Sequence, residues 1–110
     1  MQLHERPYGD TVVVDIHGPV DRESGAATEL VVTLKRLVTM GYKTILLNVA
    51  ELTKIDSVIL GAIAQAHTSA SRSGASLKLV NASDRLRELL AMTKLNRFIE
   101  TVDEDKELGG

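Results

Sequence analysis

The residues able to do chemistry are few and scattered. Three histidines, His4, His17 and His67, share neither HxH nor HxxxH spacing. Metal ligands need such spacing or a common face. There is no cysteine, which removes thiolate ligands, cysteine nucleophiles and disulfides together. The nucleophile elbow GxSxG, the phosphate-cradling GxxxxGKS/T and the dinucleotide fingerprint GxGxxG are absent. Carboxylates are spread along the chain, and acid–base work needs two of them in one cleft. One short stretch stands apart by position: Thr53-Lys54-Ile55-Asp56-Ser57, between an apolar run and a helical one. In α/β sheets, sites collect at the carboxyl ends of strands. A hydroxyl at Ser57 would face solvent in the first turn of that helix. A phosphate there would meet unpaired backbone N–H groups and the positive end of the helix dipole. The plainer reading is that Asp56 and Ser57 only cap the helix, since Asp and Ser are preferred caps.

The elements that must position this stretch alternate between two periods. Leu3 to Tyr8 reads as an edge strand, where Pro7 is tolerated. Gly9-Asp10 makes a turn into Thr11 to His17, with Val12, Val14 and Ile16 on one face and Val13, Asp15 and His17 on the other. Gly18-Pro19 ends this strand, and Ser24 is a cap for the next helix. From Gly25 to Met40 the apolar positions Ala27, Leu30, Val31, Leu34, Leu37 and Val38 form one helical stripe, with Gly41 as the stop. Thr44 to Val49 is nearly all apolar and suits a central buried strand. Ser57 to Ser71 is a second helix with Ile59, Leu60, Ile63, Ala66 and Ala70 inward. Ser76 to Val80 is a strand, and Ser83 to Met92 a third helix with Leu86, Leu89 and Leu90 inward. Phe98 to Val102 reads as a last strand before an acidic end, Asp103 to Glu107. The expected fold is α/β: a small mixed sheet, mostly parallel with an antiparallel edge strand, and helices packed on it.

Composition bounds the function. With 110 residues the chain has room for one domain, residues 1–110. The net charge is −2, with one Phe, two Tyr and no Trp. Nucleic-acid binding needs a basic stripe and stacking aromatics, so it is not expected. No apolar targeting segment or membrane span is read. The expectation is a cytoplasmic protein that is no enzyme and has no cofactor or metal.

Three segments in order resemble the STAS domain of bacterial anti-sigma factor antagonists. VDIHGPVD (Val14 to Asp21) is similar to the family's strand followed by a Gly-x-aliphatic-Asp turn. ILLNVAELTKIDS (Ile45 to Ser57) resembles its buried strand, short link and Asp-Ser helix start. GASLKLVNASDRLRELLAMTKLNRFIETVDED (Gly74 to Asp105) resembles the closing strand, Asn, leucine-paired helix and last strand. The resemblance implies that Ser57 is a phosphorylation site. It also implies a partner that is both anti-sigma factor and serine kinase, with a metal-dependent PP2C-type serine phosphatase restoring the unmodified form. Asp21, Arg22, Asp56, Ser57, Val58 and Asn81 are the expected partner-binding residues. The usual Asp-Ser-Ser/Thr-Gly-Leu-Gly reads here Asp56-Ser57-Val58-Ile59-Leu60-Gly61. Val58 replaces a hydroxyl and is expected to face out; Ile59 replaces a glycine and can turn inward. Some stress-signalling scaffold subunits with STAS domains also lack these glycines, so a self-assembling scaffold without a working phosphoswitch is the alternative reading.

Overall fold

The computed structural model describes residues 1–20, 23, 25–52 and 54–109. Five strands form one sheet: β1 (Gln2–Tyr8), β2 (Thr11–His17), β3 (Thr44–Asn48), β4 (Ser76–Val80) and β5 (Thr101–Val102). They lie side by side in chain order. β1 is antiparallel to β2, and every later pairing is parallel. The connections carry α1 (Ala26–Thr39), α2 (Ser57–Arg72) and α3 (Asp84–Met92), and a 3-10 turn (Leu95–Arg97) follows α3. A one-turn helix, α4 (Glu104–Glu107), comes after β5. Among the described residues no helix is long and apolar enough to cross a membrane.

Strands that advance one place at a time, by crossovers of one hand, put every crossover helix on the same face. The burial pattern agrees. Val12, Val14 and Ile16 of β2, Ile45 and Leu47 of β3, and Leu77 and Leu79 of β4 share one core cluster with α1, α2 and α3. On the opposite face the apolar cluster among the described residues is Val13, Leu46 and Val80, with Val102 and Leu108 packed against them. The alternation read in β2 and the two-sided burial read in β3 both hold.

Helix ends follow local chemistry. After α1, Gly41 takes φ +104°, and the N–H of Tyr42 reaches back to the carbonyl of Leu37 (3.4 Å). A positive φ here favours glycine. The helix starts on Gly25 without a side-chain cap; Ser24, expected as the cap, lies outside the described residues. In the first turn Ala26, not Ala27, is fully buried, and Leu60 and Leu89 are half-buried. The last strand is shorter than expected. Phe98 ends the 3-10 turn and is 66% exposed. Only Thr101 and Val102 pair, with Leu79 and Val80. Lys94, at φ +63°, turns the chain after α3, and Ile99 takes the buried place beneath.

Replacing a core aliphatic should be costly where the packing is complete. Ile63→Ala, from a fully buried site on α2, should lose about 2–5 kcal/mol. Met92→Ala, from a side chain 70% exposed, should change stability by less than about 0.5 kcal/mol. Urea unfolding followed by circular dichroism distinguishes the two.

Candidate functional site

The stretch singled out in the sequence sits at the carboxyl end of β3, where the chain enters α2. Asp56 is the N-cap, with extended backbone at φ −139°. Its Oδ1 accepts from the N–H of Val58 (3.0 Å) and of Ile59 (3.3 Å). Lys54 Nζ lies 3.9 Å from the other carboxylate oxygen. Ser57 is the first helical residue and is exposed. Asp56 is therefore the cap, and the Ser57 hydroxyl is left for the outside.

The two residues that follow divide the work. Ile59 is completely buried and belongs to the main core. Val58 is half-buried and does not stand free as expected. It lines a hollow between α1 and α2 together with Val31, Val32 and Gly61. A Cβ built on Gly61 would meet nothing within 4 Å.

Behind this rim runs a chain of polar contacts that the sequence reading missed. Asp15 is the only buried charged residue among the described ones, at 9% exposure. Arg6 of β1 grips it with two bonds, Nε to Oδ2 (2.7 Å) and Nη2 to Oδ1 (2.9 Å). The same guanidinium reaches Glu104 of α4 (3.1 Å). Asn48, at the end of β3, donates to Asp15 Oδ1 (2.7 Å). The Asn48 side-chain oxygen accepts from the N–H of Ala50 (3.1 Å) and from Asn81 Nδ2 (2.9 Å). Asn81, at φ +60°, follows β4. It thus touches the connection leading to Asp56 through Asn48 rather than directly. A second tie, between His17 Nδ1 and a carboxylate oxygen of Glu51, joins the end of β2 to the same connection.

The Arg6 hydrogen bonds are the main cause holding the Asp15 carboxyl below the usual carboxylate range; burial opposes them, and Asn48 adds to them. Arg6 is pushed further up by Asp15 first and Glu104 second. No buried side-chain N or O atom among the described residues lacks a partner.

Asp56, Ser57 and Val58 are contiguous on the first turn of α2, and Asn81 stands on the neighbouring strand end. Asp21 and Arg22 lie outside the described residues. The three histidines fall on β1, β2 and α2, and among the described residues no cluster of three or more His, Asp or Glu could hold a metal ion. The strand order never reverses, so the sheet lacks the crevice in which doubly wound folds seat nucleotides. At this end of the sheet the described residues form an exposed rim of connections and the start of α2.

Two measurements test this geometry. A lowered folded-state carboxyl contributes stability that is complete above the ordinary carboxylate range. That contribution is lost as pH falls through the lowered value. Wild type should therefore lose stability below about pH 4 more steeply than Asp15→Asn in urea titrations across that range. Asp56→Ala should cost about 0.5–2 kcal/mol through loss of the cap, read from the same titrations at neutral pH.

A search of curated proteins returns no match. Solved structures do match. A putative anti-sigma factor antagonist from Thermotoga maritima is 24% identical, with a TM-score of 0.80 over 96% of this chain and 89% of that one. The anti-sigma factor antagonist SpoIIAA in its unphosphorylated form is 17% identical, with a TM-score of 0.77 over 97% of this chain and 93% of that one. The Bacillus cell fate determinant SpoIIAA in its phosphorylated form is 18% identical, with a TM-score of 0.74 over 98% and 97%. At such identities the likeness establishes the fold. The sequence itself matches the STAS domain over residues 4–107, and with that match the chain belongs to the STAS domain family.

Proposed function

We propose that this chain is a single cytoplasmic STAS domain acting as an anti-sigma factor antagonist. Its partner is an anti-sigma factor that is also a serine kinase, and phosphorylation of Ser57 switches the complex off. A PP2C-type serine phosphatase resets it. The family and the fold of the neighbours support the regulatory class. The switch rests on one observation: Ser57 is exposed beside a cap that already takes the first-turn amides of Val58 and Ile59.

That arrangement decides where an added charge goes. A phosphoryl group brings about −1.5 to −2 charges and three acceptor oxygens. Folding back onto the amides of Val58 and Ile59 would mean displacing Asp56, which holds both. The phosphate stands outward instead, next to a second negative charge, with Lys54 as the nearby cation. A partner that must desolvate this rim meets two like charges and is repelled. The helix keeps its cap and changes little. A relative, SpoIIAA, has been solved in both phosphorylated and unphosphorylated forms, and this chain shares the fold of each, in keeping with a switch that works at the surface.

Val58 and Asn81 are assigned to the same docking rim, with Asn81 acting through Asn48 on the loop it steadies; Asp21 and Arg22 are kept as partner-binding residues on the sequence alone. Intact-mass analysis after incubation with the cognate kinase and ATP should show one added phosphate in wild type and none in Ser57→Ala. Ser57→Asp should weaken binding to that kinase by about tenfold or more, roughly 1.4 kcal/mol, in isothermal titration. Equal affinity for wild type and Ser57→Asp would refute charge exclusion at this site. A large self-assembled species in sedimentation would favour a scaffold instead.

A further inference from the structure

The chain has a single phenylalanine, and it is on the surface. Phe98 is 66% exposed at the end of the 3-10 turn, tied locally only by its N–H to the carbonyl of Leu95 (3.0 Å). It borders a hollow of about 350 Å³ between that turn and the second half of α2. Leu95 and Ile99 line the hollow from the turn; Ala64, His67 and Arg72 line it from α2. Burying a large aromatic ring stabilises strongly, so a ring left in water beside an apolar hollow marks a contact surface.

The charge around the ring says what fits. Arg72 lines the hollow and Arg97 precedes Phe98 in the chain. Neither has an ion pair or side-chain hydrogen bond among the described residues. No carboxylate lines the hollow. A second copy, placed face to face by a two-fold axis, would bring these arginines together with no acid between them. The complementary occupant is a protein segment with one apolar side chain for the hollow and carboxylates on either side for the arginines.

The place on α2 separates this surface from the rim at Ser57. Val58, Gly61 and Ala62 line the hollow facing α1, whereas Ala64, His67 and Ser71 line the one facing Phe98. Ala64 is also roughly two helical turns beyond Ser57. The anchor point of this hollow thus lies about 10 Å along α2 from Ser57, outside the lining shared with Val58.

We propose that the Phe98 hollow is a second docking surface, which binds an acidic segment of a partner protein through one apolar anchor, whatever the state of Ser57. The probe is a synthetic peptide, acetyl-EEDLFEED-amide, titrated into ¹⁵N-labelled protein, with acetyl-QQNLFQQN-amide as its neutral counterpart. Amide shifts should gather at His67, Ser71 and Phe98. Phe98→Ala and Arg72→Glu should each weaken binding by about tenfold, and Ser57→Asp should leave it unchanged. Both substituted side chains are exposed, and well-dispersed spectra verify that the variants are folded. Absence of shifts up to about 1 mM peptide, the weak end of measurable affinities, overturns the proposal. So do shifts elsewhere, equal binding of the neutral peptide, or loss of binding in Ser57→Asp.

Discussion

The order of the strands constrains everything else in this molecule. Because each new strand is laid beside the last, the three crossover helices crowd onto one face of the sheet. Their apolar stripes and the inward residues of β2, β3 and β4 make one continuous core there. The start of α2 is fixed by the same packing, since Ile59 is sealed in the core at its first turn. Ser57 therefore rides on a rigid base two residues from the core, while its own side chain stays outside. A surface switch needs both properties: a fixed position and free access.

The other face is built differently. Three aliphatic side chains are too few to make a second core, and polar contacts take over. Arg6 spans from Asp15 to Glu104, and Lys78 meets Glu107 at 3.2 Å. These ties hold α4 across the sheet where apolar area is scarce. A carboxylate this deep is tolerated because Arg6 and Asn48 satisfy it. The same asparagine passes the contact on to Ala50 and Asn81. The polar face thus ties down the connection that leads to Asp56 and Ser57.

Much of this could be read from residue order alone. Alternation in TVVVDIH and the apolar run TILLN named their strands and faces, and Asp-Ser before a helical stripe located the rim. What escaped needed pairing information. Arg6 lies diagonal to Asp15 only once Tyr8 is set against Thr11, and a tight turn at Gly9-Asp10 could have suggested that register. The stretch from Phe98 to Val102 looked like five strand residues because Ile99, Thr101 and Val102 are β-branched and Phe98 is aromatic. Lys94 in a left-handed conformation and the 3-10 turn at Leu95–Arg97 take up the chain ahead of it, and only Thr101 and Val102 pair with β4. Val58 looked bare because a single helix has no neighbours; in the fold it is half-buried and lines a hollow shared with α1. Of the residues expected to bind a partner, Asp21 was drawn from a family pattern and Arg22 from its place beside it in the sequence.

Gly61 carries a consequence of its own. A bare α-carbon in the body of a helix weakens it by about 1 kcal/mol relative to alanine. Nothing among the described residues requires that weakness, since none of their atoms would touch a methyl there. The missing methyl leaves a notch one turn along from Ser57, bordered by Val58 and Val32. There a visiting backbone could come to within touching distance of α2, closer than any side chain would allow.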